Sequence, residues 1–328
     1  MKIIQSLALV AALILSQTVT VSGQNTDSHA HVVLVKGADG DAEFGDQFKA
    51  WVGDWEKIAK TTGVTLTLIG TESSDTKDID QLEKVITQNK KGTTPLWIVM
   101  IGHGTFSGKQ AKFNLRGRDI SAQQLSKWLD GVQRPIAIVN CASCSAPFIN
   151  QLSGKNRVVV TATRNGNEFN FSRFGGYFTK AIASPDSDLD HDDEVSIHEA
   201  FLRASAEVGQ FYEAEARLQS EHALIDDNGD GRGTPANMFR GVRPIGKAKD
   251  GASLDGRVAK DFGLSTSNNK IRLNEDEIAQ RRKIEQQVEA LRASKGTVTE
   301  AEHDAKLEPL LIRLAKIYQA AEKRSLEK

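Results

Sequence analysis

From His31 to Thr163, short apolar runs alternate with longer segments whose apolar residues recur every three or four positions. That alternation is the pattern of βαβ units around a largely parallel sheet. The runs HVVLV from His31, VTLTLIG from Val64, PLWIVMIG from Pro95, PIAIVN from Pro135 and RVVVTAT from Arg157 predict strands. Between the first two, Phe44, Phe48, Trp51, Val52 and Trp55 fall at helical spacing. DIDQLEKVITQ predicts a second helix, and Ser121 with Gln124 marks the cap of a third, SAQQLSKWLDGV. KFNLRGRDI, just before it, reads as a short polar hairpin. PLWIVMIG is apolar throughout, as an interior parallel strand covered on both faces must be. RFGGYFTKAIA predicts the helix that closes a sheet domain spanning 25–184.

Beyond it, 185–240 carries two acidic loops on either side of the helical stretch IHEAFLRASAEVGQFYEAEARLQ. From 241 to 273 the composition shifts to Gly, Lys, Ser and Asp with few large apolar residues, which reads as a linker. Asn274 with Glu277 caps a helix to about Ala293, Lys295-Gly296 breaks it, and a second helix places Leu307, Leu310, Leu311, Leu314, Ile317 and Tyr318 on one face. The segment 274–328 is thus expected to be a charged helical hairpin, a packing or self-association arm. At the other end, Met1-Lys2 followed by IIQSLALVAALIL and small polar residues reads as a signal peptide, 1–24, so the mature chain is expected to be secreted or periplasmic. That run is too short to span a bilayer comfortably, and no later one approaches the roughly 20 apolar residues a membrane helix needs, so no stable membrane insertion is expected. A formal net charge of −1 argues against nucleic acid as the main partner.

In a parallel α/β sheet, ligands bind beyond the carboxyl ends of the strands. The third predicted strand ends on Gly102-His103-Gly104 and the fourth on Asn140-Cys141-Ala142-Ser143-Cys144-Ser145. An imidazole and a thiol on adjacent strand ends are what cysteine acyl transfer requires, with His moving the proton and backbone N–H groups binding the oxyanion. The cysteines, Cys141 and Cys144, are the only two and stand three apart, so they form no disulfide framework. They also form a CxxC at a strand-to-helix junction, where a helix N-terminus lowers a thiol pKa; a thiol–disulfide protein is therefore a separate reading.

The order strand-His-Gly, hairpin, helix, strand-Cys, strand over 31–183 resembles the caspase, legumain and metacaspase superfamily of cysteine peptidases. The resemblance implies a caspase-like three-layer α/β sandwich, with His103 as general acid/base in IVMIGHG and Gly104 as a backbone oxyanion donor. Legumains carry Glu-Ala-Cys and metacaspases Asp-Ser-Cys after the apolar strand. An ungapped match sets Asn140-Cys141-Ala142 against those triplets, placing Ala142 at the nucleophile's position and Asn140 where an acidic residue helps form the first specificity pocket. Cys144, preferred because Ala142-Ser143-Cys144-Ser145 keeps small residues around it, or Cys141 is the candidate nucleophile. Asn140 and Arg164, at the end of the following strand, are candidate substrate contacts, with a salt bridge from Arg164 to Glu168 as the plainer role. Three readings stay open: a calcium-dependent cysteine endopeptidase acting on a protein or peptide substrate, a degenerate scaffold of the same shape that binds calcium and protein partners, and a CxxC protein.

The segment Asp188 to Glu199 matches the twelve-residue EF-hand loop for Ca²⁺. Asp188, Asp190, Asp192, Ser196 and Glu199 offer side-chain oxygens, Glu194 a backbone carbonyl, and Asp193 replaces the usual turn glycine. Ser196 with Glu199 also makes a capping box for the next helix. A second loop, Asp226-Asp227-Asn228-Gly229-Asp230-Gly231, has the start of such a site, with Asp226, Asn228 and Asp230 as candidate ligands. Asn237 stands where its closing Glu would fall, so a Gly-rich turn is an equal reading.

Overall fold

The computed structural model of the chain describes residues 30–192, 194–245, 254–264, 273–293 and 299–326. The expected signal peptide, 1–24, and the Lys295-Gly296 break lie outside these residues. One seven-stranded sheet carries the molecule, in the spatial order Thr234–Pro235, Leu224–Asp226, Arg157–Thr161, Ile136–Asn140, Leu96–Ile101, His31–Lys36, Thr65–Ile69. Its parallel part joins β1 (His31–Lys36), β2 (Thr65–Ile69), β3 (Leu96–Ile101), β7 (Ile136–Asn140) and β8 (Arg157–Thr161). Every residue of β3 and β7 is buried, because helices cover both faces of an interior parallel strand.

Alternation along each strand sorts the core into two layers. Val32, Leu34, Trp97, Val99, Ala137 and Val139 face α1 (Ala42–Thr62), α5 (Phe174–Ala183) and α6 (Ile197–Ala214) through Phe48, Trp55, Phe174, Phe178 and Phe201. Val33, Val35, Ile98, Met100, Ile136 and Ile138 face α2 (Asp78–Gln88), α3 (Ala122–Trp128) and α4 (Pro147–Leu152) through Leu82, Ile86, Leu125, Phe148 and Leu152. The expected three-layer α/β sandwich with a mostly parallel sheet is the architecture observed.

Four details differ from expectation. The hairpin begins at once after His103, pairing β4 (Gly104–Ser107) with β5 (Gln110–Phe113). Its turn residues, Gly108 and Lys109, both have positive φ (55° and 66°), as the tight hairpin turn compatible with strand twist requires. KFNLRGRDI supplies only the end of its second strand, Lys112 and Phe113, and the start of the short β6 (Ile120–Ser121) that pairs with it. The sheet domain does not close at 184, since α6 packs on α5, and β9 (Leu224–Asp226) with β10 (Thr234–Pro235) covers the edge of β8 in antiparallel sense.

Within the expected linker, 254–264 is docked: Ala259, Phe262 and Leu264 are buried, Ile197 N–H donates to Phe262 O at 2.7 Å, and Ser196 bridges Gly263. Three apolar anchors and a set of backbone bonds suffice, which an average over composition conceals. At the C-terminus, α7 (Glu275–Ala293) and α8 (Glu300–Leu326) bury Ile284, Val288 and Ile317 with Leu307, Leu310 and Leu314, whereas Leu311 faces outward, 47% exposed. Asn274 and Glu277 cap α7 reciprocally. Arg324 binds Glu277, and Arg281 and Lys260 pair with Asp261 and Glu285, joining the hairpin to 254–264. Among the described residues, no helix is long and apolar enough to cross a membrane.

If 254–264 is part of the core, Phe262→Ala will cost about 3–5 kcal/mol of stability. Urea unfolding measures it; a loss below about 0.5 kcal/mol, typical of surface positions, is the contrary result.

Candidate functional site

β3 and β7 lie side by side with Met100 opposite Asn140, and the ladder runs one step further as Cys141 N–H donates to Met100 O at 2.9 Å. The loops after these strands form the candidate site. His103 is half-buried, set edge-on against Phe48 (ring centroids 5.1 Å apart) and Phe44 (5.3 Å). Its Nε2 lies 3.2 Å from Asp39 O, a contact that assigns the proton to Nε2 and leaves Nδ1 as the basic atom.

The same alternation that fills the core decides where the first thiol points. Cys141 follows Val139 onto the face covered by α1 and α5, and a Cβ placed on Gly175 would meet its Cβ at 2.8 Å. Burial, reinforced by the charge of Glu221, pushes its thiol pKa far up. Ala142 turns to the other layer beside Phe148, its Cβ 3.3 Å from where a side chain on Gly104 would begin. That Cβ would also lie 2.2 Å from Ser143 O, so only glycine fits at 104. Ser143 Oγ accepts the Gly104 N–H at 3.3 Å and donates to Gly104 O at 3.2 Å. The proposed oxyanion donor thus already has an acceptor within the chain.

Cys144 adopts a left-handed backbone (φ 54°) and donates its N–H to Glu168 O at 2.9 Å. Burial also raises its thiol pKa, opposed by the Phe106 N–H and reinforced by Glu168. Both cysteines are free, and neither sulfur hydrogen-bonds His103. The two thiols also have different surroundings, and α4 begins at Pro147, beyond both.

Asn140, expected as a substrate contact, is 0% exposed; its Oδ1 accepts the Ala142 N–H at 3.1 Å and its Nδ2 has no hydrogen-bond partner. As the last residue of β7 it pins the strand end from inside and, buried, presents nothing to a cleft. Arg164 takes the plainer role: its Nε lies 3.1 Å from Glu168 Oε1. Glu168 is a hub that also binds His222 Nδ1 at 2.6 Å and the backbone N–H groups of Arg164 and His222.

Other participants carry no sequence motif. Phe171 stacks on Phe44 at 4.5 Å and lies 6.3 Å from the His103 ring. The Arg173 guanidinium stands 5.5 Å from the Phe171 ring and 4.5 Å from that of Phe211. Phe169 is 75% exposed at the same loop. The run Phe169-Asn170-Phe171, two aromatics in a polar loop, is the one hint the sequence holds. Buried Glu221 accepts from Ser172 Oγ (2.7 Å) and from the N–H groups of Arg173 and Phe174, so it caps the start of α5.

In the first acidic loop, ligand atoms of Asp188, Asp190 and Asp192 lie within 4.8 Å of one another. Glu199 reaches back across the loop: Oε1 accepts from Leu189 and Asp190 N–H, and Oε2 from Ser196 N–H and Oγ. Ser196 Oγ accepts the Glu199 N–H in turn, completing the expected capping box. Partial burial, with the charges of Asp192, Glu199 and Asp188, raises Asp190 to about 6. The side chain of Glu194 packs on Gly263, which leaves its carbonyl as the group to offer. These oxygen donors fit a hard divalent cation. Asp193 lies outside the described residues. In the second loop, Asp226 ends β9, with Asn228 and Asp230 in the turn that follows.

Compared by sequence, the chain matches no protein family and no curated protein. Compared by fold, it is similar to the Drosophila initiator caspase Dronc, with 14% identity over 62% of this chain and 81% of that one and a TM-score of 0.42. It is also similar to Raptor from Chaetomium thermophilum (10% identity, 58% of this chain, 20% of that one, TM-score 0.34). A Geobacter sulfurreducens protein matches at 9% identity over 60% of this chain and 92% of that one, with a TM-score of 0.36.

Asn140→Ala is expected to lower stability by about 1–3 kcal/mol, because it strands the buried Ala142 N–H. Chemical unfolding checks this; unchanged stability would mean that Asn140 is not the internal strand-end pin described.

Proposed function

We propose that this chain is a caspase/legumain-type scaffold that binds a peptide or protein segment beside His103 without cleaving it. The supporting observation is the set of partners at the strand ends: Ala142 beside Gly104, the Ser143 hydroxyl on the Gly104 N–H, and no thiol bonded to the imidazole. Nucleophilic catalysis needs a thiolate within reach of its base, and burial favours the neutral thiol at both cysteines. What remains suits recognition: Phe171 and Phe44 against His103, the Arg173 guanidinium, and Phe106 and Phe169 exposed at the rim. Aromatic side chains and arginine carry much of the energy of protein interfaces.

Ca²⁺ is proposed at the first acidic loop, held by Asp188, Asp190, Asp192 and the Glu194 carbonyl, while Glu199, the expected twelfth ligand, braces the loop through its hydrogen bonds to Leu189, Asp190 and Ser196. When bound, it supplies positive charge that offsets the mutual repulsion of these carboxylates. Glu199 already joins this loop to the first turn of α6, so order in the loop passes to that helix. Export, read from the N-terminal apolar run, would bring the chain to compartments where Ca²⁺ sites of modest affinity fill. The C-terminal hairpin is proposed as an association arm through the outward face that carries Leu311 and Ile312.

The test is a pair of measurements on the mature, Ca²⁺-loaded chain. Incubation with a diverse peptide library, read by mass spectrometry, is expected to give no cleavage, whereas binders selected from the same library lose about tenfold affinity or more in Phe171→Ala. Cleavage that disappears in Cys144→Ala or Cys141→Ala would instead establish a peptidase.

A further inference from the structure

The two sides of the C-terminal hairpin's second helix are built differently. α8 turns Leu307, Leu310, Leu314 and Ile317 toward α7, where they meet Ile284 and Val288. On its other side Leu311 and Ile312 are each 47% exposed and share a shallow groove with Asp304, Leu307, Glu308 and Ala315. Apolar residues scattered singly are ordinary on a surface, whereas a contiguous patch rimmed by charge is the form that interaction sites take.

The charges at this groove have no partner along their own helix. Asp304, Glu308, Ile312 and Lys316 follow one another at four-residue steps, so they form one row on the surface of α8. Three or four residues from Glu308 stand Asp304, Ala305, Leu311 and Ile312, and three or four from Lys316 stand Ile312, Arg313, Gln319 and Ala320. No opposite charge is therefore within helical reach of either, and Asp304 with Glu308 makes an unfavourable like-charge pair. Among the described residues neither the Glu308 nor the Lys316 side chain makes an ion pair or hydrogen bond, and Asp304 has only His303 Nδ1, at 3.4 Å. Elsewhere the hairpin pairs its charges, as Arg324 does with Glu277.

We propose that this face of α8 binds a second copy of the chain, with the two α8 helices antiparallel about a twofold axis at Ile312. Glu308 and Lys316 stand equally far from Ile312 on opposite sides, so that axis sets Glu308 of each copy beside the partner's Lys316. Ile312 then meets its own counterpart, with Leu311 beside it at the apolar centre. The row reads acid, apolar, base, which is complementary to its own reverse, and that order selects a second copy as the occupant. Parallel helices would instead set Glu308 against Glu308 and Lys316 against Lys316. An interface carried by one helix from each copy is small, so the dimer forms reversibly with concentration. The inference rests on the reading of the hairpin as an association arm and gives that arm its partner and orientation; it is independent of the acidic loops and of His103.

Sedimentation equilibrium of the full chain over a concentration series tests this. Wild type is expected to show a reversible monomer–dimer equilibrium that weakens between about 50 mM and about 500 mM NaCl. Ile312→Glu should weaken association about tenfold or more. Lys316→Glu and Glu308→Lys should each weaken it about tenfold, because each turns both attractive pairs of the dimer into repulsive ones. A chain carrying both reversals should return to within about threefold of wild type, a rescue that a merely structural role of either residue would not give. Glu308, Ile312 and Lys316 are exposed, so these variants keep the fold, and unchanged urea midpoints verify it. Association lost in Ile312→Glu but indifferent to the charge reversals overturns the antiparallel pairing and preserves the arm. Association that survives Ile312→Glu, or a monomer at every concentration, overturns both.

Discussion

The parallel pairing of β3 with β7, with Met100 opposite Asn140, determines where every side chain at the strand ends can point. Both strands are buried on both faces, so their register cannot slip without moving a whole set of apolar residues across the sheet. With that register fixed, period two does the rest. Val139 and Cys141 share the face under α1 and α5, and Ala142 takes the opposite face. Cys141 therefore stands at the neighbouring strand end with its side chain in the core, and neither thiol hydrogen-bonds the imidazole. The hydroxyl of Ser143, placed between them in sequence, closes on Gly104 instead.

The far edge of the sheet follows a related logic. β8 would leave an open row of backbone groups, and the short β9 covers it. Where β9 ends, Asp226 and Asp227 meet the 254–264 segment, which also touches the first acidic loop through Ser196, Ile197 and Glu194. Arg281 and Lys260 extend the same contacts to the C-terminal hairpin. One short segment, held by three apolar anchors and the carboxylates of Asp227 and Asp255, thus bears on both loops and the arm. Its order rests on those buried anchors and on hydrogen bonds together, so its opening is coupled to the core of the sheet domain.

The parallel strands, the helices and the Ser196–Glu199 box were legible because period two, period 3.6 and cap spacing are local signals. His103 was legible as well, standing between glycines at the end of an unbroken apolar strand. The thiol orientation was not. It depends on which residue is the last to pair, and Asn140 reads equally well as the end of a strand or the start of a site. Glu168 with His222 and Glu221 with the start of α5 are joined across about fifty residues of chain, and no spacing rule reaches that far. β9 has three residues and 254–264 has scattered anchors, too little pattern to stand out from polar surroundings.

The most direct measurement of the central claim is the pH–rate profile of thiol alkylation on the reduced chain in buffer containing CaCl₂, resolved by residue with mass spectrometry and repeated in His103→Ala. Burial that favours the neutral form of both thiols, with neither hydrogen-bonded to the imidazole, predicts slow labelling at about pH 7, a rate still rising beyond about pH 9, and no dependence on His103. Fast, selective labelling of either cysteine below about pH 7 that is lost in His103→Ala would contradict it, and would mean that an activated thiolate–imidazole pair forms in solution.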